Sequence, residues 1–287
     1  MRAIAASIPG IRRLFLISVI LLVAVSGCMA PPPTTGPVFV PPAIEGKNQA
    51  GTAALLQKNV VVILDASGSM RDRTFSSLSK MEAAKAALWE VLKRLPEDTN
   101  IGLLVFGATN IGDGWAYPLT YRHDATLQRA INYPNPFRDT PLGAFIKKGA
   151  DSLLQQRAKQ NGYGTYRLLI VTDGQATDPK LVKKYLPEVL ARGIRIDVVG
   201  IKMGTEHGLA KRVHSYRNGS DLESLKKALT DAIAEVDVQG SDLATQETFS
   251  GIAPLPDELI RAILKALCER ANHPIGEKPK LDSPGSS

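Results

Sequence analysis

Asn59-Val-Val-Val-Ile-Leu-Asp65-Ala-Ser67-Gly-Ser69-Met70 is the stretch that decides the fold. Val60 to Leu64 are five consecutive apolar residues, four of them β-branched, and read as a strand covered on both faces of a parallel sheet. Polar residues arrive together at its C-terminal end, where open α/β sheets hold their ligands. Asp65, Ser67 and Ser69, spaced by single small residues, make a compact all-oxygen cluster. Oxygen donors suit a hard divalent cation such as Mg²⁺. A cation held by so few protein oxygens completes its shell with water or with a ligand from another molecule.

Outward from this stretch the elements alternate. Met81–Leu92 has helical periodicity and high helix propensity, with Pro96 beyond its end. Asn100–Phe106 reads as a second strand, and Trp115–Leu119 as a third that returns antiparallel after the turn at 107–114. Ala125–Ile131 reads as a short helix and Pro141–Lys159 as a long one, with Pro141 in its first turn. Arg167–Val171 is a strand running into Thr172-Asp173-Gly174. Asp178-Pro179 then caps and opens a helix through Ala191. Ile194–Val199 is a strand, Thr205–Arg212 a short helix and Val213–Tyr216 a short strand. Ser220 with Glu223 reads as a capping box for the helix Leu222–Val236. Alternation with short connections predicts an α/β fold: a doubly wound, mostly parallel six-stranded sheet, helices on both faces, and one antiparallel edge strand.

With these elements placed, residues 58–238 resemble the von Willebrand factor type A domain, a Rossmann-like fold. Asp65-Ala-Ser67-Gly-Ser69 matches the family pattern Asp-x-Ser-x-Ser. Thr140 in Asp139-Thr-Pro-Leu-Gly143 matches the distal threonine, and Asp173 in Val171-Thr-Asp-Gly174 the distal aspartate. The resemblance implies a metal-ion-dependent adhesion site formed by Asp65, Ser67, Ser69, Thr140 and Asp173, and a strand order 3-2-1-4-5-6. It also implies that both serines contact the metal directly, that the aspartates often act through water, and that Thr140 does either. The implied cofactor is Mg²⁺, with Mn²⁺ or Ca²⁺ as alternatives. Two carboxylates and three hydroxyls leave the cation short of charge compensation, so the expected partner is a protein presenting Asp or Glu to the metal. The helix beginning near Pro141 would aim its positive end at the same region. The loops 107–114 and 134–140 border the site and are expected to set specificity. Asn110 and Asp113 read chiefly as turn residues and Asp139 as a surface carboxylate.

The amino terminus speaks to location. Arg12 and Arg13 precede the apolar run Leu14–Val25, which is short for a spanning helix of about 20 residues. Val25-Ser26-Gly27-Cys28 resembles the bacterial lipobox. Residues 1–27 are therefore expected to be a lipoprotein signal peptide. Cys28 would be the lipidated (palmitate-bearing) residue that anchors the chain in the bacterial cell envelope. Met29 rather than Asp follows it, which favours the outer membrane, facing the periplasm, in an organism with two membranes. Residues 28–57, rich in proline, read as a tether and lead-in.

Composition excludes other classes. Removing residues 1–27 takes away Arg2, Arg12 and Arg13 and lowers the formal charge from +7 to +4. No basic run or aromatic interleaving follows, so no nucleic acid is expected as partner. The chain has 2 cysteines, Cys28 and Cys268, and lipidation of the first leaves no internal disulfide. His123, His207, His214 and His273 lack the spacing of a zinc hydrolase. No Gly-x-Gly-x-x-Gly follows the first strand, no P-loop lysine is present, and neither serine sits in a Gly-x-Ser-x-Gly elbow. The expectation is a non-enzymatic, membrane-anchored, metal-dependent protein–protein interaction module. A metal-assisted hydrolase or cofactor-handling accessory, and a structural lipoprotein with a non-functional metal site, are the alternatives. Residues 239–287 form a C-terminal extension. Its amphipathic helix Leu255–Leu267 is expected to dock its apolar stripe on the domain, and its tail from Gly276 is expected to fray.

Overall fold

The computed structural model describes residues 52–75, 77–203, 208–234, 256–260, 262–263, 266 and 272–278. Cys28, the tether before residue 52, His207 and Cys268 lie outside the described residues. Among the described residues no helix is long and apolar enough to cross a membrane.

A short helix α1 (Thr52–Leu55) leads into β1 (Lys58–Asp65), every residue of which after Lys58 is buried. Burial on both faces explains the unbroken apolar run. Val60, Val62 and Leu64 face one core, and Val61 and Ile63 face the other. The chain then makes a 3₁₀ turn (Gly68–Arg71) and a two-stranded hairpin, β2 (Arg73–Phe75) with β3 (Leu78–Ser79). Next come α2 (Lys80–Leu92), β4 (Asn100–Phe106), β5 (Trp115–Tyr121) and α3 (Asp124–Asn132). The second half contains α4 (Leu142–Lys159), β6 (Thr165–Thr172), α5 (Pro179–Ala191), β7 (Arg195–Ile201), β8 (Ser215–Gly219) and α6 (Leu222–Ala234).

The main sheet has six strands in the order β5-β4-β1-β6-β7-β8. All pairs are parallel except β4–β5. This is the expected doubly wound sheet. Pro118 lies in β5, an edge strand, where a missing ladder hydrogen bond is tolerated. Helices α2, α3 and α6 cover one face, and α4 and α5 the other. The winding reverses at β1, which sits between β4 and β6. Its C-terminal end is therefore a topological switch point, where such sheets bind ligands.

One element is new and three expectations are corrected. The hairpin β2–β3 was not read, because strands of two or three residues carry no periodicity. The described part of Thr205–Arg212 is a turn, closed by Arg212 N–H to Leu209 O at 2.9 Å, rather than a helix. α6 is capped by Asp221, not by a Ser220–Glu223 box. Asp221 accepts from Ser224 N–H at 2.7 Å, and the Ser224 hydroxyl accepts from Asp221 N–H at 3.0 Å. In the C-terminal extension, Leu259 and Ile263 are exposed, so the amphipathic stripe does not dock through them. The segment 272–278 packs on the domain instead. Ile275 is fully buried, its N–H donates to Asp151 at 2.7 Å, and Gly276 N–H donates to Glu188 at 2.7 Å. One apolar side chain in a buried notch outweighs the polar composition around it.

Candidate functional site

β1 ends in Asp65, whose side chain is wholly buried. Asp65 Oδ1 accepts from Ser67 N–H at 2.7 Å, which bends the chain out of the sheet. Asp65 Oδ2 accepts from the Thr172 hydroxyl at 2.6 Å. The register pairs Leu64 with Val171, so Asp65 and Thr172 end neighbouring strands side by side. Burial pushes the Asp65 carboxyl above the usual carboxylate range. The hydrogen bonds from Thr172 and Ser67 pull it back, and the charge of Asp173 adds to the rise.

Beyond this bend the oxygens line up. Ser67 Oγ lies 3.1 Å from Ser69 Oγ, and the Ser69 hydroxyl donates to Asp173 Oδ1 at 2.8 Å. Asp65, Ser67, Ser69 and Asp173 are thus joined in one hydrogen-bonded chain. Ser69 is exposed, so solvent or a ligand reaches the chain's end. Thr140 lies buried in the adjoining loop, two residues past Arg138, which bridges Ser67. Its carbonyl accepts from Leu142 and Thr177 N–H, each at 2.8 Å.

The loops are laced together. Gly68 N–H donates to Arg138 O at 3.1 Å, and Phe137 N–H to Ala66 O at 3.0 Å. Gly107 has φ +76°, and a Cβ there would stand 2.7 Å from the backbone of Ala66 and Ser67, so only glycine permits the approach. Asn110 donates to Tyr133 O and accepts from Asn135 N–H, tying loop 107–114 to the loop after α3. Asp113 accepts from Trp115 N–H at 3.0 Å. Asn110 and Asp113 thus serve loop geometry, and Asp139 is exposed. Phe137 is also exposed, with the Arg71 guanidinium 5.2 Å from its ring centre.

One charged residue departs from the sequence reading and another lies outside it. Asp178 makes no side-chain cap on its own helix α5. Its carboxylate reaches the start of α4 instead, accepting from Gly143 N–H at 2.8 Å and Ala144 N–H at 2.9 Å. The positive end of α4, expected to favour an incoming anion, is therefore already matched by an acid of this chain. Lys80, the first residue of α2, donates to Asp173 Oδ2 at 2.7 Å and lies 3.5 Å from Asp72. The sequence carries a weak signal for Lys80: a lysine opening a helix sits against the helix dipole. Thr172 lay within the quoted Val171–Gly174 stretch, but its role emerges only once β1 and β6 are neighbours.

Among the described residues no three of His, Cys, Asp or Glu converge as a metal-binding group. The donor set here rests on hydroxyls. Neighbouring oxygens around an octahedral Mg²⁺ stand about 2.9 Å apart. The hydrogen bonds of 3.1 and 2.8 Å along Ser67, Ser69 and Asp173 hold these oxygens as close together as one cation's shell requires. Among the described residues, a cleft of about 600 Å³ lies at the opposite end of the sheet, lined by Lys58, Val60, Leu95, Tyr166 and Ile233. It is remote from these oxygens.

The family profile of the von Willebrand factor type A domain matches residues 59–231. A Bacillus subtilis protein, the uncharacterized YwmC, is 28% identical over 160 residues, covering 52% of this chain and 68% of that protein. Among solved structures, a von Willebrand factor type A protein from Catenulispora acidiphila is 21% identical with TM-score 0.49, over 61% of this chain and 42% of that one. Proximal thread matrix protein 1 from the mussel byssus is 18% identical with TM-score 0.48, over 63% of this chain and 46% of that one. Manganese-loaded TRAP protein of Plasmodium vivax is 15% identical with TM-score 0.46, over 62% and 74%. The chain thus spans less than half the length of the mussel and Catenulispora chains.

Proposed function

This chain belongs to the von Willebrand factor type A family, and on that premise we propose that it is a divalent-metal-dependent protein–protein interaction module of the bacterial cell envelope. Proteins of this fold often mediate protein–protein contacts. The observation that carries the metal reading is the hydrogen-bonded line of oxygens Ser67 Oγ, Ser69 Oγ and Asp173 Oδ1, gathered at the switch point of the sheet. Ser67, Ser69, Thr140 and Asp173 would hold the cation, Mg²⁺ or Mn²⁺, with Asp65 supplying charge and fixing the serine loop. When bound, the cation offers an open position to a carboxylate from a partner protein.

The chain's own residues supply the rest. Asp65 and Thr172 fix the bend that presents both serines. The exposed Phe137 and Arg71 beside the serine loop give a partner an apolar and a cationic contact. This role is binding rather than catalysis. The resemblance of Val25-Ser26-Gly27-Cys28 to a lipobox supports attachment to the membrane through Cys28, with the proline-rich residues 28–57 as spacer.

Capture of partners from membranes tests this reading, using the full chain with Mg²⁺, the full chain with EDTA, and Ser69→Ala with Mg²⁺. A protein held only in the first condition, and lost when one of its own acids is replaced, is the expected result. Equal capture in all three conditions would overturn metal-bridged binding.

A further inference from the structure

We propose that Lys80 is the built-in counter-ion of this site: its ammonium holds Asp173 while no divalent cation is present and competes with the cation for that carboxylate. The inference rests on the metal reading above. Lys80 opens α2, where a cation is disfavoured by the helix dipole and an acid is usual. The acid of that first turn, Glu82, is engaged with the Ser79 cap. The Lys80 side chain is only 13% exposed and stands 2.7 Å from Asp173 Oδ2, with Asp72 beyond it at 3.5 Å. A lysine drawn inward at a helix start needs a specific partner, and that partner is a proposed metal ligand.

Asp173 explains the arrangement. Its carboxylate has no exposed area, so leaving it charged and unpaired would be strongly destabilising. One of its oxygens takes the Ser69 hydroxyl and the other takes Lys80. The oxygen facing Ser69 belongs to the proposed metal set, and the oxygen on Lys80 does not. A divalent cation arriving at Ser69 therefore meets a carboxylate already partly neutralised, with an ammonium on its far side.

Charge decides the consequence. With Asp65 ionised, Asp65, Asp173, Asp72 and Lys80 together carry two negative charges, and without Lys80 they would carry three. Lys80 thus lowers affinity for the free cation while keeping the metal-free fold intact. It also makes the filled site one charge less negative than it would otherwise be, which favours a partner's carboxylate. Cation and acidic partner are then expected to bind best together.

Calorimetric titration of Mg²⁺ into the purified full chain, Lys80→Gln and Lys80→Arg tests this, with thermal midpoints recorded in EDTA and in saturating Mg²⁺. Glutamine keeps a donor for Asp173 without the charge, and arginine keeps the charge. Lys80→Gln is expected to bind Mg²⁺ at least about tenfold more tightly than wild type. It should also melt lower in EDTA and gain more from Mg²⁺, while Lys80→Arg follows wild type. Equal Mg²⁺ affinity in wild type and Lys80→Gln would overturn the role of Lys80 and leave the metal site standing. Absence of Mg²⁺ binding in all three would overturn both, making Lys80–Asp173 a permanent structural ion pair. If Lys80→Gln does not fold in EDTA, recovery on adding Mg²⁺ supports the inference, and failure to recover overturns it.

Discussion

Asp65 carries two demands at once: it anchors the serine loop, and its negative charge sits in a wholly buried place. Burial is the main reason its carboxyl is raised, so the charged form is expensive until a cation lies nearby. Asp65→Asn separates the demands, because the amide keeps an acceptor for Ser67 N–H and drops the charge. Its stability in EDTA, measured by urea denaturation, is expected within about 1 kcal/mol of wild type. The rise in thermal midpoint on adding Mg²⁺ should vanish. A variant that loses stability yet keeps the Mg²⁺ response would mark Asp65 as purely structural. At this scale the sequence was informative where polar residues broke an apolar run, as at Asp65, Ser67 and Ser69. For Lys80 it carried only the weak signal of a lysine opening a helix, because its partner depends on where α2 starts relative to the end of β6.

At the scale of elements, the sheet was legible because its central strands are buried on both faces and announce themselves as apolar runs. β1, β4 and β6 appear in sequence almost as they fold. The hairpin β2–β3 was not legible, being too short for any period. Capping was read correctly as chemistry and wrongly as address. Its position in the sequence gives Asp178 to the helix it precedes, yet the close packing of α4 on α5 hands its carboxylate to α4. Gly143 makes that packing possible, since a Cβ there would stand 2.5 Å from Val182 N. Asp178→Ala is expected to cost about 1–2 kcal/mol in urea denaturation, with Asp178→Asn losing less. An unchanged midpoint in the alanine variant would show that water caps α4 equally well.

For the whole molecule, the doubly wound topology gathers chemistry at one end of the sheet and leaves the other end to a cleft lined by Val60, Leu95 and Tyr166. The docking of Ile275 shows where composition misleads at this scale. A polar tail is held by one apolar side chain and by backbone bonds to Asp151 and Glu188. The contact joins residues more than 80 positions apart, and no local pattern encodes it. The switch point is the opposite case, since strand order alone locates it. Manganese is the most direct probe of what binds there. Crystals of the chain grown with Mn²⁺ and measured at the manganese absorption edge are expected to show an anomalous peak about 2.0–2.4 Å from both Ser67 Oγ and Ser69 Oγ. No peak beside the two serines, with strong manganese signal elsewhere or none at all, would contradict the metal-dependent reading.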